Sequence, residues 1–175
     1  NFVEYVRWFL DFFGMNRDHQ QLTDRAQAIE GAVGSRSWFF SRNNAGKQLW
    51  AEGQGQAALI IFEHILQGLG TEMSYERCLT LDNIGRCHAN AGQKDRAINF
   101  YRQALAELGQ LDPSGIVKRE IGIVQTDLGD LLTDLGAYRE ARSAYEASLA
   151  IDQELGDDRG EAVANIQLGT LALME

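Results

Sequence analysis

Four polar side chains return at one place along this chain. Asn44, Asn83, Asp127 and Gln167 each stand directly before an apolar or small residue and a glycine, in Ala45-Gly46, Ile84-Gly85, Leu128-Gly129 and Leu168-Gly169. An amide donates and accepts at once, as a peptide backbone does, so a column of amides at even spacing suits the clamping of an extended segment. The residues just after the pairs are Lys47, Arg86, Asp130 and Thr170, and one turn further on come Trp50, Asn90 and Asp134. The charge changes sign along this set. Lys47 and Arg86 lie toward one end, while Asp127, Asp130 and Asp134 share a face at i, i+3 and i+7 toward the other. A partner with an acidic part followed by a basic part fits that gradient. The same amides have an alternative use, which is to bond their own helix or a neighbouring repeat.

Catalytic arrangements are hard to find in the same residues. Gly53-Gln54-Gly55 lacks the lysine and the strand of a phosphate loop. Cys78 and Cys87 fall nine residues apart on one helix, which puts them on opposite faces and about 13 Å apart along the axis, beyond disulfide reach. Their spacing does not suit zinc. His88 occupies an inward position and reads as a packed or capped side chain, and neither His19 nor His64 pairs with a nucleophile by spacing. The expectation is a protein with no enzymatic activity, no cofactor and no metal.

The elements that hold these residues follow from a repeat. The glycines of the four pairs lie 39, 44 and 40 residues apart, a period that marks stacked supersecondary units. Seven residues after each of the first three comes a second glycine, Gly53, Gly92 and Gly136. Five residues later comes a small residue, Ala58, Ala97 and Ala141, and four beyond that an aromatic, Phe62, Tyr101 and Tyr145. With Ile65-Leu66, Ala104-Leu105 and Ser148-Leu149 these marks fall at i, i+4, i+7 and i+8, one helical face. The second glycine stands where a helix end needs a left-handed residue. Each unit is therefore a helix A, a tight turn and a helix B. The first glycine and the alanine let the helices approach, and the aromatic fills the gap to the next repeat. A helices are expected near 38–51, 72–90, 114–135 and 158–175, and B helices near 54–68, 93–110 and 137–155. Thr71 and Asp112-Pro113 read as N-terminal caps, and Gly68, Gly70 and Gly156 as helix ends. The fold class is all-α, a right-handed solenoid of antiparallel hairpins.

These marks resemble the tetratricopeptide repeat from about Arg42 to Glu175. The long period, with helix B running on into Leu149-Ala150-Ile151-Asp152-Gln153-Glu154-Leu155-Gly156-Asp157, is similar to the long-repeat branch of kinesin light chains and the Leu-Gly-Asn-type adaptors, and to the arrays of bacterial STAND ATPases. The resemblance implies repeats at about 38–70, 71–111 and 112–156, with a partial one at 157–175. It implies that the A helices line a concave groove. The peptide-contacting asparagine of the adaptors corresponds to Asn44 and Asn83, with Asp127 and Gln167 as departures from it. The groove set is then Asn44, Lys47, Asn83, Arg86, Asn90, Asp127, Asp130, Asp134 and Gln167. The implied role is an interaction scaffold holding a partner peptide or helix. The alternative is a regulatory, sensing arm of a larger signalling ATPase or other multidomain protein.

Composition narrows the partner. The chain has 175 residues, 45% of them hydrophobic, which is enough for a core. Eighteen glycines and a single proline, Pro113, suit many helices joined by short turns. The net charge of −9 is concentrated in residues 71–175, which carry 10 basic and 18 acidic side chains against 6 and 7 before them. Nucleic acid requires clustered Lys and Arg and is excluded as an expected partner; a basic partner is favoured. No stretch is long and apolar enough for a membrane span, and the expected location is cytoplasmic.

Residues 1–36 read either as a degenerate repeat or as a plain helical hairpin capping the array, with Trp8, Phe9, Phe12 and Phe13 in its core and His19 where the alanine is expected. Gly31–Arg36 reads as a linker. The chain is read as a fragment of a longer array. Its last segment carries Leu168, Leu171, Leu173 and Met174 with no following B helix, which predicts self-association through that face or fraying beyond about residue 165.

Overall fold

The computed structural model describes residues 31–174. They form seven helices: α1 Arg36–Ala51, α2 Gly55–Leu69, α3 Tyr75–Asn90, α4 Lys94–Leu108, α5 Gly115–Asp134, α6 Tyr138–Leu155 and α7 Asp158–Ala172. Among the described residues there is no strand. Each helix packs on its neighbours in sequence, and α1, α3 and α5 also touch in turn. The result is an all-α solenoid of helix hairpins, in which each unit contacts only the units beside it.

The two glycines of each repeat do different work. The turn glycines Gly53, Gly92 and Gly136 have φ of +78°, +73° and +74°, a left-handed conformation that glycine adopts without steric cost. Each turn closes with the same pair of backbone bonds. Gly53 N–H reaches Trp50 O and Gln54 N–H reaches Leu49 O, and the pattern recurs at Gly92/Gln93 and Gly136/Ala137. These bonds satisfy carbonyls that a helix end leaves without partners.

The helical glycines are contact points. A Cβ built on Gly46 falls 2.7 Å from the Phe62 ring, and on Gly85 and Gly129 it falls 2.5 Å from Tyr101 and Tyr145. Each aromatic therefore packs directly against helix A of its own hairpin, rather than only filling the gap to the next repeat as its spacing suggests. Ala58, Ala97 and Ala141 are fully buried beside it. In the last period Gly169 has open space around it.

The core is divided into two clusters, and α3 contributes to both. Cys78 and Leu81 pack with Tyr101, Leu108, Val117 and Val124, whereas Ile84 and Cys87 pack with Trp38, Phe39, Ala58 and Phe62. The two free, buried cysteines thus serve opposite faces of one helix, as their spacing requires.

Two capping expectations are corrected. The cap of α3 is Ser74, not Thr71, and its side chain accepts from Arg77 N–H at 3.2 Å. The cap of α5 is Ser114, not Asp112, accepting from Val117 N–H at 3.4 Å, so Pro113 lies before the helix rather than in its first turn. Ser, Asp and Thr all cap well, so residue type alone does not choose between candidates two or three positions apart. At the far end α7 runs to Ala172, beyond the residue where fraying was expected. Leu171 is buried and Leu168 half-buried, while Val163, Ile166, Leu173 and Met174 are exposed. Residues 1–30, including the proposed N-terminal hairpin, lie outside the described residues.

Candidate peptide-binding groove

The recurring polar column runs along the seam between successive A helices and joins them. Asn83 on α3 donates from Nδ2 to Asn43 Oδ1 on α1 at 3.1 Å. Asp127 on α5 meets Arg86 on α3, with Oδ2 2.7 Å from Nε. Gln167 on α7 donates from Nε2 to Asp130 Oδ1 on α5 at 2.7 Å, and Tyr145 Oη–H donates to the same oxygen at 2.8 Å. Three of the four column residues therefore reach back to the preceding hairpin. Asn83 is only 5% exposed, so the geometry takes it out of the open groove and into the interface between repeats. Asn44, at the equivalent position, is exposed. The buried amide of α1 is Asn43, which sequence reasoning passed over. Its signal was present, since Asn43 lies four residues after Phe39 and three before Gly46, on the buried stripe.

Beside the seam the A helices leave a gap. Trp50, Arg86, Ala89, Asn90, Tyr101, Asp127, Asp130, Leu131 and Asp134 line a cavity of about 310 Å³ there. It gathers five of the expected groove residues from α3 and α5, adds Trp50 from α1, and has Tyr101 of α4 in its wall. Asn44, Lys47, Asn83 and Gln167 do not line it. Asp134 pairs loosely with Lys94, Nζ to Oδ2 at 3.4 Å. A larger hollow of about 720 Å³ lies at the α5–α6 turn, but only Gly136–Glu140 and Arg142 border it, so it gathers nothing from separate repeats.

Behind the cavity is a group of buried acids that the sequence did not announce. Asp82 and Glu120 are 1% and 5% exposed. Asp82 Oδ2 is 3.1 Å from Arg86 Nε, and Tyr75 Oη–H donates to Glu120 Oε2 at 3.5 Å. Burial pushes the Asp82 carboxyl up to about 7; Arg86 pulls against that, and Asp127 and Glu120 reinforce it. Burial also raises Glu120, opposed by Arg86 and Lys47, and raises Asp127, opposed by Arg86. Asp130 is raised by burial and held back by the Tyr145 hydroxyl. One guanidinium therefore serves three carboxylates in a poorly solvated place. The available signal was the heptad Glu120–Asp127–Asp134 along one face of α5.

Elsewhere His88 is 4% exposed, with Nδ1 2.7 Å from Gln93 Oε1 and its ring stacked on Phe100 at 5.3 Å. It is a packed histidine. Among the described residues no group of His, Cys, Asp and Glu is placed to hold a metal ion, and no helix is long and apolar enough to cross a membrane.

A stack of hairpins joined by glycine–aromatic contacts defines a helical-repeat protein. Residues 80–113 and 124–155 each match the family described as tetratricopeptide repeat. The chain carries tetratricopeptide repeats. The hairpin at 36–69 carries the same glycine–aromatic pair, although neither match reaches it. Solved structures with this fold include BtubC (BKLC) from P. vanneervenii, with a TM-score of 0.73 and 19% identity, covering 98% of this chain and 71% of that one. A protein from Podosopora anserina, described as kinesin light chain with nearly identical TPR-like repeats, has a TM-score of 0.64 and 16% identity, covering 98% and 84%. PcrH from Pseudomonas aeruginosa has a TM-score of 0.62 and 15% identity, covering 79% and 94%. At these identities the likeness is one of fold. None of the curated proteins compared with the chain matches it.

Proposed function

We propose that this protein is a non-catalytic interaction scaffold that holds a peptide or helical segment of a partner protein against the concave cavity of α1, α3 and α5. The observation that carries the reading is the separation of tasks along the A helices. Asn83 and Gln167 are consumed in joining repeats, whereas one turn further on Trp50 is 40% exposed and borders a concavity with Asn90 and Asp134 from two other helices. Trp50 is a large apolar side chain left open beside polar groups, the composition of an interface anchor. Arg86, Asn90, Asp127, Asp130 and Asp134 supply the polar frame of the cavity, with Asn44 and Lys47 exposed further back along α1. Asn83 and Gln167 act through the seam.

The test is a selection of random displayed peptides on the purified chain. Retained peptides should lose tenfold or more in affinity against Trp50→Ala and against Asn90→Ala, with melting unchanged. Peptides that bind both variants as tightly as the parent place the binding surface elsewhere.

A further inference from the structure

We infer that the cavity of α1, α3 and α5 is a receptor for a guanidinium group: an arginine side chain of the bound segment enters it, with Asp127, Asp130 and Asp134 as acceptors and Trp50 as its aromatic wall. The inference rests on the groove reading above and names the chemistry of its occupant.

The first argument is a shortage of donors. Three carboxylates and a single cation, Arg86, border the cavity, and Asp82 and Glu120 crowd the same cation from behind. Asp82 Oδ1 and Glu120 Oε1 have no hydrogen-bond donor, although both side chains are more than nine-tenths buried. Asp127 Oδ2, 2.7 Å from Arg86 Nε, also lacks an aligned N–H, so that contact is one of charge rather than a directed bond. Buried acceptors without donors are costly; of these three, Asp127 borders the cavity, where an arriving donor can meet it. Arg86 already faces Asp82 and Asp127 and cannot also align with Asp130 and Asp134.

The second argument is size and shape. A volume of about 310 Å³ is at the lower limit for a small-molecule site and suits one long side chain. Asp127, Asp130 and Asp134 fall on successive turns of α5, with neighbours roughly 5–6 Å apart at Cβ. The planar fork of guanidinium carries five N–H groups, bridges such acceptors and stacks on an indole; ammonium is a compact, strongly hydrated point charge that does neither as well. The Lys94–Asp134 pair is long at 3.4 Å, and its Asp134 side chain is 67% exposed, so it gives way to a better donor. An acidic or apolar side chain in the same place would bring no donor to Asp127 Oδ2, to the second oxygen of Asp130 or to Asp134 beyond its long Lys94 contact.

The experiment titrates the full chain with N-acetyl-arginine amide, N-acetyl-lysine amide and N-acetyl-citrulline amide. The readout is the indole N–H resonance of Trp50, assigned with Trp50→Phe. The arginine amide should move that resonance saturably, with the lysine amide at least fivefold weaker and the neutral citrulline amide at least tenfold weaker. Asp134→Asn, remote from the core, should weaken the arginine amide by tenfold or more with unchanged melting. Equal affinity for citrulline, equal affinity for lysine, or an unmoved Trp50 resonance overturns the guanidinium receptor. If peptides selected on the groove bind through Trp50 without any arginine, the scaffold reading stands and this inference alone falls.

Discussion

Asn83 Nδ2 and Asn43 Oδ1 meet at 3.1 Å in the seam between α1 and α3, both side chains buried. A side-chain amide pair in a dry seam fixes the register of one hairpin on the next, because each partner is satisfied only when the helices sit in this place. Removing one leaves the other buried without its bond, which costs about 1–3 kcal/mol. Asn83→Ala should lower the melting temperature clearly, Asn43→Ala should do the same, and the double variant should be less destabilised than the sum of the two. A double variant that is strictly additive contradicts the pairing.

The hairpin contact gives a second outcome. Gly85→Ala places a methyl 2.5 Å from the Tyr101 ring, closer than packed atoms tolerate, so ring or helix must shift at a cost of about 1–3 kcal/mol. Chemical denaturation of Gly85→Ala should show that loss. Gly169→Ala, with open space around the site, should be neutral or slightly stabilising through helix propensity. Equal effects at the two glycines would mean that the contact is unimportant.

Much of the architecture was legible because each hairpin states its own geometry. The left-handed turn glycine, the contact glycine and the aromatic are separate requirements that recur in one order, and they place α1 to α7 within a few residues of the expected limits. The caps at Ser74 and Ser114 were missed because neighbouring Thr71 and Asp112 satisfy the same chemistry. The site was half legible. Spacing put Asn83, Asp127 and Gln167 on the inner side of the A helices, but not whether they face the groove or the next helix. That depends on how closely hairpins stack, which Asn43 reveals only once α1 and α3 are side by side. Asp82 and Glu120 were missed because acidic residues are rarely buried and are read as surface by default.

The buried acids make stability depend on pH in an unusual direction. Asp82 has its carboxyl raised from 3.8 to about 7, so between those values the folded chain holds a proton that the unfolded chain has released. Stability is then greatest on the acid side of this window and falls as pH rises through it. Glu120, Asp127 and Asp130, also raised, act in the same sense. The melting temperature should fall from about pH 5 to pH 8, and Asp82→Asn should flatten that slope. A melting temperature that rises over the range, or an unchanged slope in Asp82→Asn, contradicts the placement of Asp82.

Thiol reactivity tests the two-cluster core. Burial pushes Cys78 up to about 12 and Cys87 up to about 11, and the side chains are 0% and 3% exposed. A disulfide reagent at pH 8 should find both thiols slow in the folded protein and two fast thiols after denaturation without reductant. Rapid labelling of either in the folded state would show that its cluster is not closed.

The central claim is the division between seam and groove, and one measurement reaches it most directly: the affinity of a groove-selected peptide for Trp50→Ala and Asn83→Ala, with melting recorded on the same samples. The account predicts that Trp50→Ala weakens binding at least tenfold, about 1.4 kcal/mol, at an unchanged melting temperature. Asn83→Ala should lower the melting temperature and leave the affinity of the folded protein unchanged. The opposite pattern, with affinity lost in Asn83→Ala and retained in Trp50→Ala, would put the polar column in the groove and contradict it.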